Sequence, residues 1–174
     1  MVPRIYIRPY VYDFFLKGNV NMRKFEKISF EQFKKDVKDD RNMYDSYSLP
    51  LRETAKAAGY DFFALYDYVL KPGEIKKIPT GIKVIMEDDD VLLLVDRSSM
   101  GFKWNVRFCN QVGVVDADYY GNVDNEGHMW IKIQNEGTED YVVKAGQGMC
   151  QGIFVKYLKT DNDSETEFTS RRSS

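Results

Sequence analysis

From about Tyr44 to Tyr157 the apolar residues of this chain come in short runs, each cut off by glycine, proline or asparagine. A helix needs an apolar stripe sustained over ten or more residues, so this punctuation excludes a helical bundle and favours many short strands. Lys71-Pro72-Gly73-Glu74 and Pro79-Thr80-Gly81 read as turns. Met129, Ile131 and Ile133 alternate with Trp130, Lys132 and Gln134, the pattern of a half-exposed strand. Val91 to Val95 is uninterrupted apolar sequence and predicts a strand buried on both faces. The segments 141–143 and 153–155 read as two strands joined by the loop 144–148. The fold class expected is all-β, a sandwich or jelly roll.

Residues 1–44 differ. Ile5 and Ile7 alternate with Arg4, Tyr6 and Arg8, which suggests a short strand. Ser29-Phe30-Glu31-Gln32 has the form of a capping box, and Phe30, Phe33 and Val37 continue at helical spacing. One short helix ending near Asp39-Asp40 is predicted, followed by a polar lead-in, Asp40-Arg41-Asn42. The expected organisation is an N-terminal extension (1–44), a β domain (45–158) and a polar, aperiodic tail (159–174).

Charge and composition exclude several functions. The net charge is −2, against the basic surplus that a protein bound to DNA or RNA backbone carries, so no nucleic-acid polymer is expected as partner. Two cysteines without Cys-x-x-Cys spacing and a single histidine do not supply a zinc site. Arg4, Arg8 and Asp13 interrupt any signal-like stretch, and no run approaches membrane-spanning length. A soluble, cytoplasmic protein with reduced thiols is expected. His128 is assigned no role, as a solvated loop residue, and Trp104 and Trp130 are read as packing residues. The run Glu87-Asp88-Asp89-Asp90 lacks the alternation of a calcium loop.

Four segments carry chemistry. Gly59-Tyr60-Asp61 alone reads as a strand with one acid. Arg97-Ser98-Ser99-Met100-Gly101 sets small hydroxyl residues beside glycine, where backbone N–H groups reach phosphate oxygens. Asn110-Gln111-Val112-Gly113-Val114-Val115-Asp116-Ala117-Asp118-Tyr119-Tyr120-Gly121 joins an apolar strand to acids and tyrosines, and Gly146-Gln147-Gly148-Met149-Cys150-Gln151-Gly152 is a glycine-rich entry to a last strand.

In this order and spacing the four segments resemble the motifs of the trimeric dUTPase family, over about Leu49 to Tyr157. The third is the most specific, matching Gly-(Ile/Val)-Ile-Asp-x-x-Tyr-x-Gly. The resemblance implies a distorted jelly roll of the β-clip type, a C₃ homotrimer with sites at subunit interfaces, and Mg²⁺-dependent hydrolysis of dUTP to dUMP and diphosphate. It implies that Asp116 is the general base for water attacking the α-phosphorus. Asn110 and the backbone of Gly113 and Val115, in a β-hairpin, would read uracil, and Tyr119 would stack on deoxyribose and exclude a 2′-hydroxyl. Arg97, Ser98, Ser99, Gly101 and Gln151 would meet the phosphates, and Asp61 would act on the metal through bound water.

The chain departs from the family in three places. Asp96 stands where proline is usual, and Gly148 replaces an arginine, whose charge a neighbouring cation would have to supply. The glycine-rich C-terminal arm is represented only by Arg171 and Arg172, which would start it and meet the triphosphate; the resemblance implies that the arm continues past Ser174. Two other functions remain open. One is a dUTP-binding regulatory or interaction protein without catalysis. The other is a dCTP deaminase, disfavoured because Lys132 occupies the position of that family's catalytic glutamate.

Overall fold

The computed structural model describes residues 22–163, so Ile5, Ile7, Arg171 and Arg172 lie outside the described residues. Strand β1 (Lys24–Lys27) leads into helices α1 (Phe30–Asp36) and α2 (Arg41–Ser46). Then come β2 (Tyr60–Phe63), β3 (Tyr68–Leu70), β4 (Ile75–Pro79), β5 (Ile82–Ile85) and β6 (Asp90–Val95). Helix α3 (Ser98–Trp104) precedes β7 (Val106–Phe108) and β8 (Gly113–Asp116), and a 3₁₀ turn (Ala117–Tyr119) follows. The last strands are β9 (Trp130–Asn135), β10 (Tyr141–Val143) and β11 (Gly148–Lys156).

All the pairings are antiparallel. They build a four-stranded sheet in the order β2-β11-β6-β8, a three-stranded sheet β4-β9-β7, and the pairs β1-β5 and β10-β3. The architecture is the all-β jelly roll. Its core joins both larger sheets through Phe62, Leu92, Leu94, Val106, Phe108, Ile131 and Ile133. The turn at 71–74 closes with Glu74 N–H donating to the Lys71 carbonyl (2.9 Å), and Gly73 takes φ 77°. Among the described residues no helix is long and apolar enough to cross a membrane.

Three sequence expectations need correction. Strand β6 buries Asp90, Leu92 and Leu94 on one face only; Val91, Leu93 and Val95 are half-exposed in the single chain. The third motif does not form a β-hairpin. Its strand β8 pairs with β6, whereas the preceding β7 pairs with β9 in the other sheet, so residues 109–112 arch between sheets. The polar lead-in at 40–42 is helical: the Asp40 carboxylate caps α2 by accepting from Met43 N–H at 3.0 Å.

Helix α1 begins as predicted, the Ser29 hydroxyl accepting from Gln32 N–H at 3.1 Å. Gln32 does not return the bond. Its amide donates to Asp36 (2.8 Å), and Ser29 N–H instead donates to Glu126 (2.9 Å). Phe33 is fully buried with Ile28 and Leu65 in a second, smaller core, and its ring stacks on Tyr47 at 5.6 Å. Strand β1 pairs with β5 residue for residue from Lys24–Ile85 to Lys27–Ile82, which anchors the N-terminal segment to the β domain.

Candidate active site

The predicted site residues gather in two clusters on the four-stranded sheet. The first forms where β2, β11 and the end of β6 meet. Asp61 on β2 stands opposite Gln151 on β11, which stands opposite Val95, the last residue of β6. Arg97 follows two residues later and therefore lies beside the start of β11. The Asp61 carboxylate is buried (5% exposed) and fully engaged within the protein. Gln151 Nε2 donates to Oδ1 at 2.9 Å, Arg97 Nε reaches Oδ1 at 3.3 Å, and Arg97 Nη2 reaches Oδ2 at 3.4 Å. Arg97 Nη1 also donates to the Gly148 carbonyl (3.3 Å).

Glycine makes this packing feasible. A Cβ on Gly148 would lie 2.5 Å from Arg97 Nη1, and one on Gly59 would lie 3.1 Å from Gln151 Oε1. The Arg97 guanidinium thus lies directly over Gly148 and fills the space that a side chain there would take. Ser98 and Ser99 form the exposed first turn of α3, with Gly101 open to solvent above them. Helix α3 was not legible as a helix: Ser-Ser-Met-Gly has weak helical propensity. Asp96, just before it, accepts from Phe108 N–H at 3.3 Å through Oδ2, while Oδ1 has no hydrogen-bond partner among the described residues. Burial pushes its carboxyl up, more than the Phe108 N–H and Arg107 pull it down.

The second cluster, Asp116 and Tyr119, lies at the opposite end of the same sheet. Asp116 ends β8 opposite Val91, and Tyr119 closes the 3₁₀ turn that follows. Gly113, by contrast, starts β8 opposite Leu94, at the Gln151 end of the sheet, where a Cβ would meet the Leu94 Cβ at 3.1 Å; Val115 is buried between the two ends, and Asn110 is exposed in the arch before Gly113. The Tyr119 hydroxyl accepts from Asn125 Nδ2 (2.7 Å) and donates to the His128 carbonyl (3.3 Å). Asp116 and Gln151 are two strands apart and four residues out of register along β6. At ~4.8 Å per strand and ~3.3 Å per residue, their backbones are about 16 Å apart. One chain brings Asp61, Arg97 and Gln151 together, and separately Asp116 and Tyr119; it does not bring the two groups together.

His128 corrects the sequence reading. It is fully buried rather than solvated. Its Nδ1 lies 2.6 Å from Asp36 on α1, and its Nε2 accepts from Gly81 N–H at 2.9 Å. Burial pushes the imidazole down, outweighing the pull of Asp36. Nothing in the sequence announced this: the polar residues Ser29, Gln32 and Asp36 beside Phe33 on α1 read as an ordinary solvent face.

Residues 45–174 match the dUTPase family model. The chain belongs to the dUTPase family. It is 43% identical over 124 residues to the deoxyuridine 5'-triphosphate nucleotidohydrolase of Lactococcus lactis subsp. lactis (strain IL1403), covering 71% of this chain and 83% of that one. A protein of the same name from Mannheimia succiniciproducens is 31% identical over 133 residues, covering 75% of this chain and 84% of that one. Among solved structures, dUTPase from Streptococcus mutans superposes with TM-score 0.64 at 38% identity, covering 79% of this chain and 98% of the other. The dUTPase from phage phi11 of S. aureus shares the fold, with TM-score 0.61 at 21% identity over 87% of this chain and all of the other. The match to the family model begins at residue 45, so β1, α1 and most of α2 precede it.

Proposed function

We propose that this dUTPase-family chain hydrolyses dUTP to dUMP and diphosphate as a homotrimer, with each site completed across a subunit boundary. The observation that supports the assembly is the separation of the two clusters: with their backbones about 16 Å apart, a base at Asp116 and phosphate ligands at Gln151 are better supplied to one nucleotide by two chains than by one. Family membership carries the reaction.

In this reading Asp116 takes a proton from the water that attacks the α-phosphorus, and diphosphate leaves as the α–β bridging bond breaks. Ser98 donates to the bridging oxygen, where charge develops. Ser99, Gly101 and Gln151 hold the remaining phosphate oxygens. Arg97 adds positive charge at the same end of the sheet while fixing Asp61 and, through it, the Gln151 amide. Asn110 and the backbone of Gly113 and Val115 select uracil. A thymine methyl is rejected by shape, an effect of roughly 1–3 kcal/mol. Cytosine presents a donor where uracil presents an acceptor and leaves groups unpaired. Tyr119 stacks on the deoxyribose. Arg171 and Arg172, outside the described residues, meet the triphosphate.

Among the described residues no three His, Cys, Asp or Glu side chains gather to hold a metal ion. Asp61, whose carboxylate is already bonded to Gln151 and Arg97, would act through water on a Mg²⁺ carried in on triphosphate oxygens. Bound there, Mg²⁺ would lower the charge facing the attacking water. The test is diphosphate release from dUTP by the whole chain with Mg²⁺, compared with dCTP, dTTP and UTP. Release from dUTP alone supports the reading. Tight dUTP binding without release makes the chain a binding protein, and ammonia from dCTP makes it a deaminase.

A further inference from the structure

Besides its pairing with β5, the N-terminal segment that precedes the family match makes a second set of contacts with the β domain, to the loop 120–128 that follows Tyr119. Five side-chain links converge there. Asp36 Oδ2 meets His128 Nδ1 at 2.6 Å. The Ser29 hydroxyl and N–H both donate to the Glu126 carboxylate, the N–H at 2.9 Å. Lys35 Nζ donates to the Asp124 carbonyl at 3.2 Å. The Tyr120 hydroxyl donates to Glu26 on β1 at 2.8 Å. Gly81, whose N–H donates to His128 Nε2, also accepts through its carbonyl from Ile28 N–H (3.0 Å) and the Tyr47 hydroxyl (2.8 Å).

These links end on Tyr119. The His128 carbonyl and the Asn125 amide, both in this loop, are the groups that hold its hydroxyl. Gly127 packs so close that a Cβ there would lie 2.5 Å from the Tyr119 carbonyl, so the loop and the tyrosine backbone cannot shift independently. The orientation of His128 is fixed by chemistry. Nε2 accepts from Gly81 N–H, so the neutral ring carries its proton on Nδ1 and donates it to Asp36. The Gln32 amide holds the same Asp36 oxygen at 2.8 Å, which orients the carboxylate.

We propose that residues 22–47 act as a brace for sugar recognition, with Asp36 as a positioning residue that works through His128 to hold the Tyr119 ring where a 2′-hydroxyl would collide with it. The proposal rests on the reading of Tyr119 as the deoxyribose-stacking residue. Asp36 touches no substrate; loosening the loop costs ring placement, hence nucleotide binding and sugar discrimination, before it costs chemistry at Asp116.

The experiment measures kcat and KM for dUTP and UTP, in whole-chain protein with Mg²⁺, for Asp36→Ala, Asp36→Asn, Ser29→Ala and Tyr119→Ala, with circular dichroism and mass in solution as checks on folding. Asp36→Ala is expected to raise KM for dUTP roughly 3- to 10-fold, the scale of one ordinary hydrogen bond, and to lower the dUTP/UTP ratio of kcat/KM while kcat stays within about twofold. Asp36→Asn, which still accepts from Nδ1–H, restores both. Ser29→Ala moves both quantities in the same direction, and carries the test alone if Asp36→Ala does not fold. An unchanged ratio in folded Asp36→Ala and Ser29→Ala, with Tyr119→Ala lowering it, overturns the brace and leaves the reading of Tyr119 intact. An unchanged ratio in Tyr119→Ala itself overturns that reading.

Discussion

The Arg97 guanidinium occupies the space that a side chain at Gly148 would need, with Nη1 2.5 Å from the position of a Cβ there. Glycine at 148 therefore leaves room for Arg97 to lie against the start of β11 and reach Asp61. Adding one methyl should separate them. Gly148→Ala is expected to lose roughly 1–3 kcal/mol of stability by overpacking, and to raise KM for dUTP as Arg97 leaves Asp61 and the Gln151 amide loses its anchor. Urea melts and steady-state kinetics check both; unchanged KM would detach Arg97 and Asp61 from phosphate binding.

Asp116 is the one carboxylate of the third motif at a strand end, after Val115 has been buried in the core. Asp116→Asn keeps size and hydrogen-bonding capacity but cannot take a proton. Turnover is expected to fall about 10²- to 10⁴-fold, with the trimer and the affinity for a non-hydrolysable dUTP analogue retained. Calorimetric titration beside the diphosphate assay separates the two effects. Near-normal turnover would remove Asp116 from the base role.

Tyr119 has its hydroxyl tied at one end of the ring by Asn125 and His128, which fixes the ring for the sugar contact proposed for it. Tyr119→Ala is expected to lower the dUTP/UTP ratio of kcat/KM by roughly tenfold or more, chiefly by improving UTP relative to dUTP. Parallel assays of the two nucleotides decide it.

What the sequence showed and what it hid follow a physical division. Glycines 59, 113 and 148 were legible as parts of motifs because close approach of a neighbouring side chain or strand is a local requirement, and each one does face such a neighbour. Strand β9 was legible because its burial alternates with period two. Pairing was not legible. Strand β8 binds β6 rather than a neighbour in sequence, so the expected hairpin was wrong. The burial of His128 depends on Asp36, 92 residues away, and no local pattern around His128 announces it. Strand β1, with the sequence Lys-Phe-Glu-Lys, buries only Phe25 and exists because β5 offers it an edge.

Asp96, where the family carries proline, keeps a partly buried carboxylate with one oxygen unpartnered among the described residues. Burial raises its affinity for a proton above that of the unfolded chain. The folded state therefore binds more protons than the unfolded state as pH falls, and the charged form weakens folding at neutral pH. Asp96→Asn, neutral but still able to accept from Phe108 N–H, is expected to melt higher than the parent at pH 7.5, with the gain shrinking toward pH 4. Equal melting temperatures across that range would mean that the carboxylate is solvated.

His128 is the only histidine in the chain, so it is the only side chain whose ordinary value falls between pH 5.5 and 7.5. It faces Asp36 from α1, Glu126 from its own loop and Lys77 from β4, and burial sets the direction by pushing its proton affinity down. The folded form then binds fewer protons than the unfolded chain just below the ordinary value of about 6.5, and its stability is complete above that value and lost as pH falls through it. Protonation would also set an Nε2–H against the Gly81 N–H, breaking the bond that joins the turn before β5 to the loop. Asp36 adds nothing to this window, because its carboxyl is held below the ordinary carboxylate range: burial raises it, but the Gln32 amide and His128 together outweigh that effect. Urea unfolding is expected to be flat from pH 8 to about 7 and to weaken below about 6.5, by at most ~1.4 kcal/mol per pH unit per chain. His128→Gln should abolish that slope even where its stability at pH 8 is lower. A slope that survives in His128→Gln would have to come from a group other than this imidazole.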